Sequence, residues 1–272
     1  MPISRANGID ILYEKAGSGP PLVLIHAMPF DHNLWLYQVE RFSARFTTIA
    51  MDLRGWGASA KPRDTFTLED MGRDVMGVLA DEGIRDDAIV MGCSVGSKIA
   101  LMLACDHPDV FKAAILVGGN SGLQPQFDHR VAAYRAEHAA GTLRAYHLGH
   151  LRYGVAQSWA DSPIGRYLLE GFAERVDGKL DPESIARVFE AVGTCDLTPK
   201  LPAYRTPTLI VSGEHDNALK GGTLTASLIK QAQHKILPGT GHCCFIEDPA
   251  RFNGWVKDFL AQANVWPRER NV

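Results

Sequence analysis

No stretch of this sequence approaches the roughly 20 consecutive apolar residues that a membrane-spanning helix requires. The opening, Met1-Pro2-Ile3-Ser4-Arg5, carries no apolar signal-peptide region. Neither sign of charge dominates: 28 Lys and Arg face 31 Asp and Glu, a net charge of −3 mixed along the chain. That balance offers no basic field for nucleic acid or an anionic membrane. Cysteine is scarce, and its five residues are odd in number and irregularly spaced. The pattern argues against a disulfide framework and for reduced thiols. Metal-ligand spacing is missing too. His242-Cys243-Cys244 and Glu214-His215-Asp216 crowd adjacent donors together without a second pair, a poor zinc site. There are no internal repeats or low-complexity tracts. These absences lead us to expect a soluble, cytoplasmic protein that handles a small molecule, with no metal, no cofactor, and no nucleic-acid or membrane partner. They leave its oligomeric state open.

What is present is a sizeable apolar fraction, 46% of 272 residues. That suffices for a full core in one domain with an insertion, or in two. Strand and helix signals alternate, the pattern of a mostly parallel sheet covered on both faces. Strands are expected at Ile9 to Tyr13, Leu22 to Ile25, Phe46 to Met51, Ala88 to Met91, Ala113 to Val117, Thr208 to Val211 and Lys235 to Leu237. The glycine cluster Gly17-Ser18-Gly19-Pro20 precedes its strand, whereas a dinucleotide-binding fingerprint follows one. Thr67-Leu68-Glu69-Asp70 opens a helix with a capping-box-like signal, and Gly83 ends it. Asp248 and Pro249 suit the start of a last helix. From about 122 to 200 the strand signals vanish. Helical stretches follow one another at Arg130 to Ala139, Thr142 to Tyr153, Gly165 to Glu174 and Pro182 to Val192.

The most informative segment is Gly92-Cys93-Ser94-Val95-Gly96. The apolar run Ala88-Ile89-Val90-Met91 leads into it and good helix formers follow from Lys98. A strand therefore feeds a helix through a sharp turn with serine at its centre. Such a turn strains its central residue, and larger side chains at the flanking glycines would clash. It lifts the hydroxyl off the C-terminal edge of the sheet, in front of a helix N-terminus whose free N–H groups suit an oxyanion.

A hydroxyl needs a base, and the base needs an acid that holds its tautomer. In this strand–turn–helix setting the expected chain order is serine, carboxylate, histidine. After the strand Thr208 to Val211, the loop Ser212-Gly213-Glu214-His215-Asp216 carries the carboxylate. After Lys235 to Leu237, the loop Pro238-Gly239-Thr240-Gly241-His242 carries the histidine. Both loops lie just past strand ends, where an open α/β sheet binds ligands. Ser94 is read as nucleophile, His242 as general base and Asp216 as its acid. Glu214 competes with Asp216. Among the histidines, His26 precedes the turn, His215 faces solvent or substrate, and His107 looks like a helix-end residue. Cys93 is expected to point into the core.

With these residues the chain resembles the α/β-hydrolase superfamily, and the resemblance covers nearly all of it. His26-Ala27-Met28-Pro29 is similar to the family's His-Gly-x-Pro loop. Asp52-Leu53-Arg54-Gly55-Trp56-Gly57-Ala58-Ser59 is similar to its Asp-x-Arg-Gly-x-Gly-x-Ser turn. Thr206 to Asp216 looks like the acid-bearing strand and loop, and Gly239 to His242 closes the set. Two features depart from the pattern: Ala27 replaces a glycine, and Cys93 precedes the serine where histidine or phenylalanine is frequent. The resemblance implies an α/β-hydrolase fold with a core of residues 1–121 and 201–272 and a helical cap of residues 122–200. It implies an oxyanion hole from the backbone N–H groups of Val95 and Met28. His26, Ala27, Trp35, Tyr153 and Trp159 are candidate substrate-binding residues.

The likeness to small esterases and enol-lactone hydrolases implies a cofactor-free serine hydrolase of a small, mostly apolar ester or lactone. The alternatives are a carbon–carbon bond hydrolase, a cofactor-free haloperoxidase or oxygenase, and a small-molecule receptor with a slow hydrolase site. The apolar residues Tyr146, Leu148, Leu151, Tyr153, Trp159, Leu168, Leu169 and Phe172 are expected to cover the pocket. Arg144, Arg152 and Arg166 are candidates for a carboxylate clamp.

Overall fold

The computed structural model describes residues 1–125, 127–176 and 178–267. Its apolar runs become one sheet, in the order β1-β2-β4-β3-β5-β6-β7-β8 among the described residues. The strands are β1 (Ile3–Ser4), β2 (Ile11–Gly17), β3 (Pro21–Ile25), β4 (Thr47–Met51), β5 (Ala88–Cys93), β6 (Phe111–Val117), β7 (Thr208–Gly213) and β8 (Ala232–Leu237). β1 and β2 run antiparallel at one edge, and β4, β3, β5, β6, β7 and β8 are mutually parallel.

The central strands are apolar on both sides because helices cover both faces. Val23, Ile25, Val90, Ala114, Leu116 and Ile210 point into one core layer. Their neighbours Leu22, Leu24, Ile89, Met91, Ile115, Leu209 and Val211 point into the other. This is the alternation that a strand imposes. One layer is closed by α2 (Leu68–Asp81) and α3 (Val95–Asp106), the other by α1 (Leu36–Phe42), the short α10 (Cys244–Glu247) and α11 (Pro249–Gln262). Thr67 and Asp70 form the capping box of α2, and Asp248 caps α11 through the Arg251 N–H.

The inner strands shift from their expected bounds by at most two residues at either end, and the larger departures are at the sheet's margins. β2 starts at Ile11 rather than Ile9 and runs on through Glu14-Lys15-Ala16 to Gly17, where its partner on β4 is Thr47. Backbone pairing extends it past the last apolar residue, and Gly17, with φ +77°, ends it. β8 begins three residues before Lys235, because a strand at the sheet's edge has no need of an apolar run.

Between β6 and β7 lie α4 (Phe127–Ala139), α5 (Leu143–Tyr153), the short α6 (Gln157–Ala160), α7 (Pro163–Val176) and α8 (Pro182–Thr194). α4 packs on α8 and α5, α5 on α7, and α8 on α2. The buried ammonium of Lys98 ties this insertion to the sheet by donating to the carbonyls of Gly122 and Val192, at 2.8 and 2.9 Å. Among the described residues no helix is long and apolar enough to cross a membrane.

Candidate active site

The parallel strands β3, β5, β6, β7 and β8 all end at the same edge, and the loops they release meet there. β5 delivers Ser94 with φ 55° and ψ −114°, a positive-φ conformation that a residue with a side chain rarely adopts and that the sharp turn was expected to impose. The glycines around it are sterically required. A Cβ on Gly92 would lie 2.1 Å from the Gly96 carbonyl oxygen, and one on Gly96 would lie 2.1 Å from that of Ile25. Ser94 directly precedes α3. The N–H of Val95 is among the helix's first, which have no intrahelical acceptor. Among the described residues neither that N–H nor the one of Met28 has a hydrogen-bond partner.

β7 and β8 place Asp216 and His242 side by side, with Asp216 Oδ1 2.8 Å from His242 Nδ1. The Ala218 N–H also donates to Oδ1, at 2.7 Å. Asp216 Oδ2 is buried with no partner among the described residues. Burial pushes the Asp216 carboxyl up. The charge and hydrogen bond of His242, with the Ala218 N–H, outweigh it and leave the group below the usual carboxylate value. For His242, burial alone lowers the pKa. The neighbouring carboxylate overrides that and raises it to about 9. Since Nδ1–H is held by Asp216, the free Nε2 is the nitrogen able to accept a proton. Gly118, at the end of β6 with φ +56°, makes room for the pair. A Cβ there would lie 2.4 Å from His242 Cε1.

Ser94, Asp216 and His242 line one cavity of about 360 Å³, together with Met28, Pro29 and Phe30. The insertion contributes Phe127, Arg130, His150, Tyr153 and Gly154, so α4 and α5 roof the sheet edge. Its attachment to the histidine loop is direct. Glu247 accepts from the N–H of Gly241 through one oxygen and that of Ala156 through the other, each at 2.9 Å. The N–H of Cys243 donates to the Gly154 carbonyl at 2.9 Å.

The remaining residues singled out in the sequence fall elsewhere. His26 is fully buried. The Leu53 N–H donates to its Nε2, so Nδ1 carries the proton and donates to the Ala27 carbonyl. Burial lowers its pKa, consistent with a neutral ring that shapes the loop. Ala27 is buried beside it, outside the cavity lining. Trp35 is buried in the core, stacked on Phe245 with ring centroids 4.5 Å apart. Trp159 packs against the core from α6, also outside the lining. Tyr153 alone of these five reaches the cavity, where most of its surface stays exposed.

Of the eight apolar residues expected to cover the pocket, Tyr153 is the one in its lining. Leu151, Leu169 and Phe172 are buried in the core layer instead. Arg152 pairs with Asp161, Arg144 with Glu170, and Arg166 lines a separate outer depression with Tyr167 and Glu170. Glu214 is exposed and accepts from the Gly239 N–H, while His215 is exposed on the same loop. Cys93 is buried and faces Cys243. Burial and that neighbour push its thiol pKa far up.

Sequence reasoning missed Gln124, Phe127, Arg130, His150, Asn217 and Lys220 in the lining. For Arg130 a signal existed. Phe127, Val131 and Tyr134 form the buried stripe of α4, and Arg130 flanks it. The stripe is visible only if the helix is started at Phe127.

The Asp52 turn is scaffolding. Asp52 accepts from the backbone and ring of His32 and from the Ala58 N–H. Arg54 is clamped on Asp74 by two 2.6 Å hydrogen bonds. Asp31, His32 and Asp52 bring three donor groups together, but those of His32 and Asp52 already bond each other, away from Ser94.

Comparison with known proteins agrees with this architecture. Residues 22–255 match the sequence profile of the alpha/beta hydrolase family. The enol-lactonase of Burkholderia xenovorans superposes with a TM-score of 0.88 at 27% identity, covering 96% of this chain and 100% of that one. The 2-(acetamidomethylene)succinate hydrolase of Mesorhizobium japonicum is 26% identical over 86% of this chain and 85% of its own. A non-heme chloroperoxidase of Kitasatospora aureofaciens is 25% identical over 96% of this chain and 99% of its own.

Proposed function

Since the chain belongs to the alpha/beta hydrolase family and is a hydrolase, we propose that it cleaves a small carboxylic ester or lactone through an acyl-enzyme on Ser94. The observation that carries this reading is the strained Ser94 turn opening onto the same cavity as the bonded pair Asp216–His242. His242 Nε2 takes the Ser94 proton as Oγ attacks the carbonyl carbon. The N–H groups of Val95 and Met28 receive the developing oxyanion; one such donor is worth roughly 10²- to 10³-fold in rate. The imidazolium returns its proton to the leaving alkoxide. Water then attacks the acyl-enzyme by the same route and releases the acid. Asp216 stabilises the imidazolium each time without itself taking the proton. The chain supplies nucleophile, base and oxyanion donors, so these steps call for no cofactor. The helices of residues 122–200 act as a cap that excludes water from the acyl-enzyme.

The relation to an enol-lactonase supports the lactone branch of this reading. A fluorophosphonate should label the protein at Ser94, and Ser94→Ala should abolish labelling and cut ester turnover by about 10⁴-fold or more. Labelling at Cys93, or full turnover in Ser94→Ala, would refute the assignment.

A further inference from the structure

The charges in the cavity wall do not balance. Among the described residues its one carboxylate, Asp216, is committed to His242. Facing it are Arg130 from α4 and Lys220 from α9 (Leu219–Leu228), with His150 from α5 between elements of the roof. Among the described residues neither Arg130 nor Lys220 has an acidic partner. Four other arginines of the insertion are paired: Arg135 with Glu183, Arg144 with Glu170, Arg152 with Asp161, and Arg187 with Glu183 and Glu190. Arg166 and Arg175, like Arg130, have no acidic partner among the described residues, but they line the outer depression rather than this cavity.

Arg130 is half-buried, with its guanidinium held 5.4 Å above the Phe127 ring. That contact orients the group without neutralising it. Its field reaches both nearby imidazoles: it offsets a small part of the rise that Asp216 imposes on His242, and it adds to the burial that lowers the His150 pKa. An unneutralised guanidinium, partly removed from water and aimed into a ligand cavity, is a costly arrangement that an anionic ligand would relieve.

We propose that Arg130, assisted by Lys220, binds a carboxylate of the substrate, so that the enzyme acts on anionic esters or lactones in preference to neutral ones. Arg130 offers a planar donor fork suited to a carboxylate, and Lys220, more exposed, adds a mobile point charge at the rim. This refines the hydrolase reading and rests on it. It replaces the neutral, mostly apolar substrate expected from the sequence. Bound product acid meets the same cations, so its carboxylates should compete with substrate.

The test compares matched pairs of substrates. p-Nitrophenyl hydrogen glutarate against p-nitrophenyl butyrate places the charge on the acyl side. 4-Butyryloxybenzoate against phenyl butyrate places it on the leaving group. In at least one pair the wild type should favour the anion by tenfold or more in kcat/KM. Arg130→Gln should reduce the anionic rate at least tenfold more than the neutral one, chiefly through KM. Arg130→Lys should recover part of the loss, and Lys220→Gln should show a smaller effect of the same kind. Calorimetric titration with glutarate needs no turnover and should show binding that Arg130→Gln weakens at least tenfold. No preference in either pair, or equal losses on both members, would overturn the proposal, as would glutarate binding that ignores Arg130. Failure of Ser94 to react with fluorophosphonate while Arg130-dependent glutarate binding persists would instead refute the hydrolase chemistry and leave the carboxylate site standing.

Discussion

In the proposed mechanism Asp216 acts through a single atom. Its Oδ1 carries the bonds to His242 and to the Ala218 N–H, while the buried Oδ2 has no partner among the described residues. Asp216→Asn should therefore keep the fold and cut kcat by up to about 10⁴-fold, because the amide can present N–H to the ring and stabilise the wrong tautomer. The pair also sets the pH profile. In the proposed mechanism the base works only when unprotonated, so kcat/KM should rise with pH through the His242 pKa. That pKa is raised to about 9 by Asp216. The rise should thus lie well above the 6–7.5 expected of an ordinary histidine, and Asp216→Asn should move it downward. The same shift has a consequence for stability. A histidine whose pKa is raised on folding contributes stability that is complete below about 6.5 and is lost as pH climbs through the folded value. A kcat/KM profile centred near 6.5 in both proteins would contradict this account.

At the scale of elements, the helix after Ser94 does two jobs with one face. Its N-terminus supplies the Val95 N–H, and one turn later Lys98 fastens both ends of the helical insertion by donating to Gly122 and Val192. Burial lowers the Lys98 pKa to about 8, outweighing the opposing pull of Cys195 and Asp196. The unfolded chain, with its lysine near 10.5, binds more protons between those two values, so stability rises with pH across the window. Lys98→Met removes that slope. The wild type's margin over the variant should grow by on the order of 3 kcal/mol from pH 8 to 10.5, read from urea titrations at each pH. A pH-independent margin would show that the ammonium is not held as described.

Across the whole molecule, sheet and insertion are joined at several points. Lys98 reaches the insertion from α3, Glu247 and Cys243 reach it from the histidine loop, and Arg63 pairs with Asp181 before α8. The buried residues of α4 and α8 belong to the same core layer as α2 and α3. An insertion bound this way should unfold with the sheet. Calorimetry should give one transition whose calorimetric and van't Hoff enthalpies agree, and two resolved transitions would identify an independent cap.

How far the sequence reaches can be judged from particular residues. Gly92, Gly96 and Gly118 sit where a side chain would strike backbone or the His242 ring. The turn around Ser94 and the alternation of apolar strands and helices were legible because each depends on short-range sterics and periodicity. Chain order and position after a strand were likewise enough to bring Asp216 and His242 together, since parallel strands release their loops at one edge. The roof of the cavity was not legible. Apolar residues of α5, α6 and α7 were expected to line it, and most of those pack into the core. Arg130 of α4, a charged residue that composition alone assigns to solvent, reaches the cavity instead. A residue's neighbours on its own helix follow from the sequence. Which face of that helix meets the cavity depends on how α4 packs against α5 and α8, and only the tertiary structure decides that.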